Sequence, residues 1–265
     1  MTSLDTPLLA AAPNFRDFGG RATHDGRRVR RQRLYRSELL LGLTPRDLHT
    51  LAGLDIRLVC DLRSPGERAR MSNEWPEEHP PEILALDINE ELSAVQPDKW
   101  TRRLADPTFS ATRAHAALID NYRRMPASYA EDLRALFERM SRPDAPNVLV
   151  HCAAGKDRTG FVVAMVLSAL GVTQEGVLED YLATGELFTY ERLIATRLRT
   201  VLHGADLPEY AHASLRVLAS VHVDFIEAAL ETVRTRFGGV EAYLERECGL
   251  TSSRREAMQR VLLEA

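Results

Sequence analysis

A chain of 265 residues with 45% hydrophobic and 27% charged residues has the balance of an ordinary soluble globular protein, long enough for one large α/β domain. Its net charge of −4 excludes the broad basic footprint expected of a nucleic-acid binder, so any phosphate must be held at a local site. Three cysteines, Cys60, Cys152 and Cys248, are too few and too scattered for a disulfide framework or a zinc site, and no stretch approaches the roughly 18 apolar residues that span a bilayer.

In chain order, residues 1–13 read as a loose leader. No basic residue precedes its short apolar run, which makes a poor signal peptide and points to the cytoplasm. NFRDFGG over 14–20 ends in a glycine pair and reads as a turn, with Arg16 and Asp17 as an ion-paired brace. RLYRS over 33–37 is a short strand. Thr44-Pro45 places a capping hydroxyl before a first-turn proline and starts a helix that Gly53 stops. IRLVCDL over 56–62 is a buried strand, with Cys60 as core and Asp61 near its end. Residues 83–88 are a weaker strand, and 96–142 carry helical patterns, clearest over 129–140.

NVLVH over 147–151 is a second buried β-run, followed by a seven-residue loop over 152–158 and an apolar helix over 159–170 that Gly171 ends. The remainder is helix-rich: 221–237 ends at Gly238-Gly239, a short helix follows to Cys248, and Thr251 caps the last one. The sum is a single α/β domain over 1–265, a central and mostly parallel sheet flanked by helices with a helix-rich C-terminal third. No feature of the chain specifies an oligomer.

The chemistry lies in His-Cys-Ala-Ala-Gly-Lys-Asp-Arg-Thr-Gly, residues 151–160. A strand-to-helix loop with Cys152 and Arg158 in Cys-x5-Arg spacing can curl its backbone N–H groups inward as an anion nest, and the helix dipole adds positive potential there. Arg158 offers a planar fork to two phosphate oxygens. The same field favours a thiolate at Cys152. Ala153, Ala154 and Gly155 let the backbone approach the ligand, Thr159 is placed to hydrogen-bond the sulfur, and His151 to order the loop.

This string is similar to the signature of the protein tyrosine phosphatase superfamily. Together with NFRDFGG, LYRSELL and DLRS (61–64), it resembles the bacterial tyrosine/lipid phosphatases typified by mycobacterial protein tyrosine phosphatase B, in order over 14–64 and 147–171. The resemblance implies the cysteine phosphatase fold and a phosphocysteine mechanism with no metal and no cofactor. The substrate it implies is a phosphorylated protein, carrying phosphotyrosine and in some members phosphoserine or phosphothreonine, or a phosphoinositide. It also implies a helical lid insertion over 174–216. An inositol-polyphosphate or nucleotide phosphatase on the same loop is the alternative enzyme. A dead phosphate-binding module would need the Cys or the Arg lost, and both are present.

Four further residues carry expectations. Lys156 is one of only two lysines, with Lys99, among 34 basic residues, and reads as a mobile charge at the loop's rim that meets a second phosphate. Asp157 is either the acid that protonates the leaving oxygen or a carboxylate on the helix dipole. Asp61 is either the acid or a structural partner of Arg158 or Arg16. Trp75-Pro76-Glu77 imitates the mobile acid loop of strict tyrosine phosphatases but lies far upstream of Cys152, and reads as coincidence.

Overall fold

The computed structural model describes residues 6–78, 80–85, 103–187, 190–193 and 208–265. The expectations for 86–88, for 96–102 and for the middle of the lid at 194–207 fall outside them.

Five strands form the main sheet in the order β1 (Arg16–Asp17), β3 (Leu34–Ser37), β6 (Asn147–His151), β4 (Ile56–Asp61), β5 (Glu82–Ala85). Only the β1–β3 pair is antiparallel. A two-stranded ribbon joins β2 (Arg28–Val29) to β7 (Leu263–Glu264) at the C-terminus. Among the described residues the helices of six residues or more are α1 (Pro45–Gly53), α2 (Pro65–Arg70), α3 (Ala111–Ser128), α4 (Ala130–Met140), α5 (Asp157–Ala169), α6 (Gln174–Leu187), α7 (Glu209–Ala219), α8 (Val223–Phe237) and α9 (Ser252–Leu262).

Strand side chains alternate between two cores, as a two-residue period requires. Val148, Val150, Leu58 and Cys60 face the larger one, with α3, α4, α5 and α8, whereas Leu149, Val59 and Tyr35 face a smaller one under α1. Such double coverage explains why 147–151 and 56–62 are continuous apolar runs. Helix α5 is buried nearly all round and forms the centre of the larger core. Cys60 is core, as read, and burial pushes its thiol well above the ordinary value.

Three local readings change. The leader is not loose where it is described, because Leu9 and Ala12 bury into the smaller core and Asp47 of α1 accepts the Ala10 N–H at 2.7 Å. NFRDFGG is strand β1 before it turns. The loop after β6 is shorter than seven residues, since α5 begins at Asp157. Within 174–216, α6 packs on the body with Asp180, Tyr181 and Thr184 all buried.

Candidate active site

The register of the parallel strands sets the site. Ser37 of β3 and Asp61 of β4 both lie opposite His151 of β6, so three strand ends stop together and their following loops start from one edge of the sheet, the edge where ligands of parallel α/β sheets collect.

Residues 152–156 leave that edge and are held from outside by their carbonyl oxygens. Leu39 N donates to Ala153 O at 3.1 Å. Asn14 Nδ2 donates to Ala154 O at 3.0 Å and to Gly155 O at 3.1 Å, and Arg36 Nη2 donates to Gly155 O at 2.9 Å. With three successive carbonyls tied outward, the N–H side turns toward the sulfur: Gly155 N donates to Cys152 Sγ at 3.2 Å. Gly155 is obligatory in this turn. Its φ is +66°, and a Cβ there would stand 2.4 Å from Ser37 O and 2.6 Å from Asn14 Nδ2.

Arg158, in the first turn of α5, is fixed by a carboxylate that sequence reasoning missed. Its Nη1 and Nη2 donate to Glu67 Oε2 and Oε1 at 2.7 and 2.8 Å, and Nη1 also donates to Leu62 O at 2.9 Å. Glu67 comes from α2, where Ser64-Pro65-x-Glu67 forms a capping box: Ser64 N donates to Glu67 Oε2 at 2.8 Å and Glu67 N to Ser64 Oγ at 3.2 Å. One carboxylate therefore caps a helix and orients the guanidinium fork. Burial opposes its charge, but Arg158 outweighs burial and holds the carboxyl below its ordinary range. The capping box was legible in the sequence; its second use was not.

Asp61 pairs with neither Arg158 nor Arg16. Arg63 takes it, Nε to Oδ1 at 2.9 Å and Nη2 to Oδ2 at 2.7 Å, while Arg63 N donates to Oδ1 at 3.0 Å. His151 Nε2 lies 3.5 Å from the same Oδ1. Burial works against the charge, yet His151 and Arg63 together keep the carboxyl well below the usual carboxylate range. The His151 ring is held at both ends, Nδ1 against Cys152 O at 3.2 Å and Nε2 against the Asn73 amide at 3.0 Å, so it orders the loop as expected. Thr159 Oγ1 is buried with no hydrogen-bond partner among the described residues.

The sequence model of the tyrosine phosphatase family matches residues 7–264, nearly the whole described chain. The chain belongs to the tyrosine phosphatase family. It is 32% identical over 231 residues to a tyrosine-protein phosphatase of Cupriavidus necator, covering 87% of this chain and 80% of that one. It is 30% identical over 277 aligned positions to the triple specificity protein phosphatase PtpB of Mycobacterium tuberculosis, covering 96% and 98%. A tyrosine-protein phosphatase of Nostoc commune is 25% identical over 213 residues, covering 77% and 65%.

Within this phosphatase, Lys156 is not a mobile charge at the rim. Its Nζ is buried and donates to Leu218 O at 2.7 Å and Ser220 O at 2.9 Å, the free carbonyls at the end of α7, where the helix dipole attracts a cation. Asp157 Oδ1 accepts the Tyr122 hydroxyl at 2.9 Å and lies 3.3 Å from Lys156 Nζ. Tyr122 also bonds Tyr181 of α6 at 2.8 Å. Glu77 is exposed, and Trp75 packs on the smaller core.

Beneath the loop lies a buried ion cluster. Asp180 of α6 receives Arg36 Nη1 on Oδ2 and Arg21 Nη2 on Oδ1 at 3.3 Å; Arg16 Nη2 donates to its backbone carbonyl at 2.8 Å. Arg16 therefore braces the floor through Asp180 rather than through Asp17. Asp17 instead accepts the Gly19 and Gln32 backbone N–H groups, both at 2.8 Å. Arg36 links this cluster to the loop through its bond to Gly155 O.

Proposed function

We propose that Cys152 is the nucleophile of a two-step phosphate-monoester hydrolysis. Its thiolate attacks phosphorus, an S–P bond forms as the P–O bond to the leaving group breaks, and the departing oxygen takes a proton. Water then cleaves the S–P bond, releasing inorganic phosphate and regenerating the thiolate. The observation that carries this reading is the loop itself, with carbonyls tied outward, Gly155 N on the sulfur and Arg158 aimed by Glu67. Arg158 and the amides of 153–155 would hold the transferring oxygens, and Thr159 Oγ1 would donate to sulfur or phosphate. A reducing, cytoplasmic compartment suits three free cysteines, one of them catalytic.

The substrate we favour is protein phosphotyrosine, with phosphoserine, phosphothreonine and phosphoinositides as further substrates. The family supports the first, and the name of the mycobacterial relative supports a wide range. An extra phosphate would need Lys156 Nζ to leave two carbonyls, which weakens the inositol-polyphosphate alternative.

Asp157 is our choice for the acid. Both oxygens of Asp61 are engaged by Arg63, whereas among the described residues only Oδ1 of Asp157 carries partners. Initial rates on phosphotyrosine peptide, phosphothreonine peptide, a short-chain phosphoinositide and a nitrophenyl phosphate test both assignments at once. Asp157→Asn is expected to lose about 10²–10⁴-fold on the alkyl phosphates, whose leaving oxygen is basic, and far less on the nitrophenyl ester. An equal loss on all four would make Asp157 a positioning residue. The same leaving-group dependence in Asp61→Asn would exchange the roles.

A further inference from the structure

Apart from the active site, one group of side chains among the described residues has the chemistry to ligate a metal ion. His115 on α3, His222 at the N-cap of α8 and Asp224 in its first turn bring two imidazoles and a carboxylate to one point. Asp224 Oδ2 stands 3.2 Å from His222 Nδ1 and 3.7 Å from His115 Nε2, and the three ligand atoms lie within 4.8 Å of one another. Around a tetrahedral ion with bonds of about 2.0–2.2 Å, ligand atoms stand about 3.3–3.6 Å apart, so little movement separates this arrangement from a coordinated one. Their side chains are 40%, 54% and 54% exposed, in the order His115, His222, Asp224, which leaves an open face for water as the remaining ligand.

We propose that His115, His222 and Asp224 form a binding site for one divalent zinc-class ion that staples α3 to the start of α8. Two imidazoles and one carboxylate are donors suited to Zn²⁺ and poorly suited to Mg²⁺ or Ca²⁺. The dipole at the α8 N-terminus opposes a cation, and the Asp224 charge offsets it. The one bond that coordination displaces is long, Asp224 N to His222 Nδ1 at 3.4 Å.

The staple sits one aromatic layer from the active site. Phe225 packs 5.0 Å from the His115 ring and stacks 5.9 Å from Tyr122, whose hydroxyl holds Asp157. His222 follows closely on Ser220, whose carbonyl holds Lys156. Fixing this turn against α3 therefore fixes the lysine's anchor. The ion stands apart from the phosphoryl-transfer chemistry and takes no part in it.

Zn²⁺ also binds thiolates, so the test uses full-length Cys152→Ser protein, in which the remaining cysteines, Cys60 and Cys248, are buried. Calorimetric titration with Zn²⁺ is expected to show one equivalent bound, with a Zn²⁺-dependent rise in Tm. Adding His222→Asn keeps a capping acceptor but removes the imidazole, and Asp224→Asn removes the charge. Each is expected to weaken binding by about tenfold to a hundredfold and to abolish most of the Zn²⁺-induced Tm shift. Absence of one-equivalent binding in the parent, or equal affinity in all three proteins, would overturn the proposal. Comparing shifts with and without metal separates lost coordination from any loss of helix stability.

Discussion

Cys152→Ser is expected to stop turnover, by about 10⁴–10⁶-fold, while phosphate still binds with affinity within a few-fold of wild type. The two outcomes separate because they rest on different atoms. Binding depends on the amides of 153–155, on Arg158 and on the outward ties from Leu39, Asn14 and Arg36, of which the substitution alters only the partner of the Gly155 amide. Attack depends on the sulfur nucleophile of Cys152, which a far less nucleophilic serine hydroxyl in the same cradle does not replace. Phosphate affinity by calorimetry and rates on phosphotyrosine peptide check the pair. Substantial residual turnover, unchanged by chelators, would refute Cys152 as nucleophile.

Asp180→Asn is expected to cost about 3–5 kcal/mol of folding stability at neutral pH. Asp180 is 1% exposed and faces guanidinium groups of Arg16, Arg21 and Arg36, themselves 0–2% exposed. Neutralising the carboxylate leaves buried positive charge under-compensated and loosens α6 from the floor of the loop. Burial opposes the charge of Asp180, but Arg36, Arg16 and Arg21 hold its carboxyl below the ordinary value. A depressed carboxyl stabilises the fold above its unfolded pKa of about 3.9, and that contribution is lost as pH falls through the lower folded value. The gap between wild type and Asp180→Asn should therefore be full at pH 7 and narrow only at strongly acidic pH. Urea unfolding of both proteins across that range measures it. A difference below about 1 kcal/mol at pH 7 would show that water or other groups compensate the arginines.

The loop was legible because its information is local. Strand, small residues, Cys152, Arg158 and apolar helix follow one another within 147–170, and the fold class follows from the apolar runs around them. What escaped was every partner brought in by tertiary structure. Glu67 meets Arg158 across 91 positions, and Asn14 meets the Ala154 carbonyl across 140. Capping boxes and an asparagine in a turn have ordinary local explanations, so nothing in their neighbourhood advertised a second use. Lys156 departs from its expected place at the rim for a related reason. Sequence supplies a charge and its position on the loop, but the side chain's direction was set by free carbonyls at the end of α7, which lie 62 and 64 positions on. Adjacency in sequence pairs Arg16 with Asp17, whereas its carboxylate comes from Asp180 of α6. The leader's short apolar run has no helical or strand period to mark it as core, yet Leu9 and Ala12 complete the smaller core.

The central claim, a covalent phosphate on Cys152, is tested most directly by quenching the wild-type enzyme in acid during its first turnover of a phosphorylated aryl substrate and mapping the phosphate by mass spectrometry. Acid unfolds the enzyme before water can reach the intermediate, so the peptide carrying Cys152 should hold one phosphate, and the Cys152→Ser protein should hold none. Phosphate on a different side chain would contradict the account. So would an unmodified Cys152 peptide at a moment when the phenol released already equals the enzyme present.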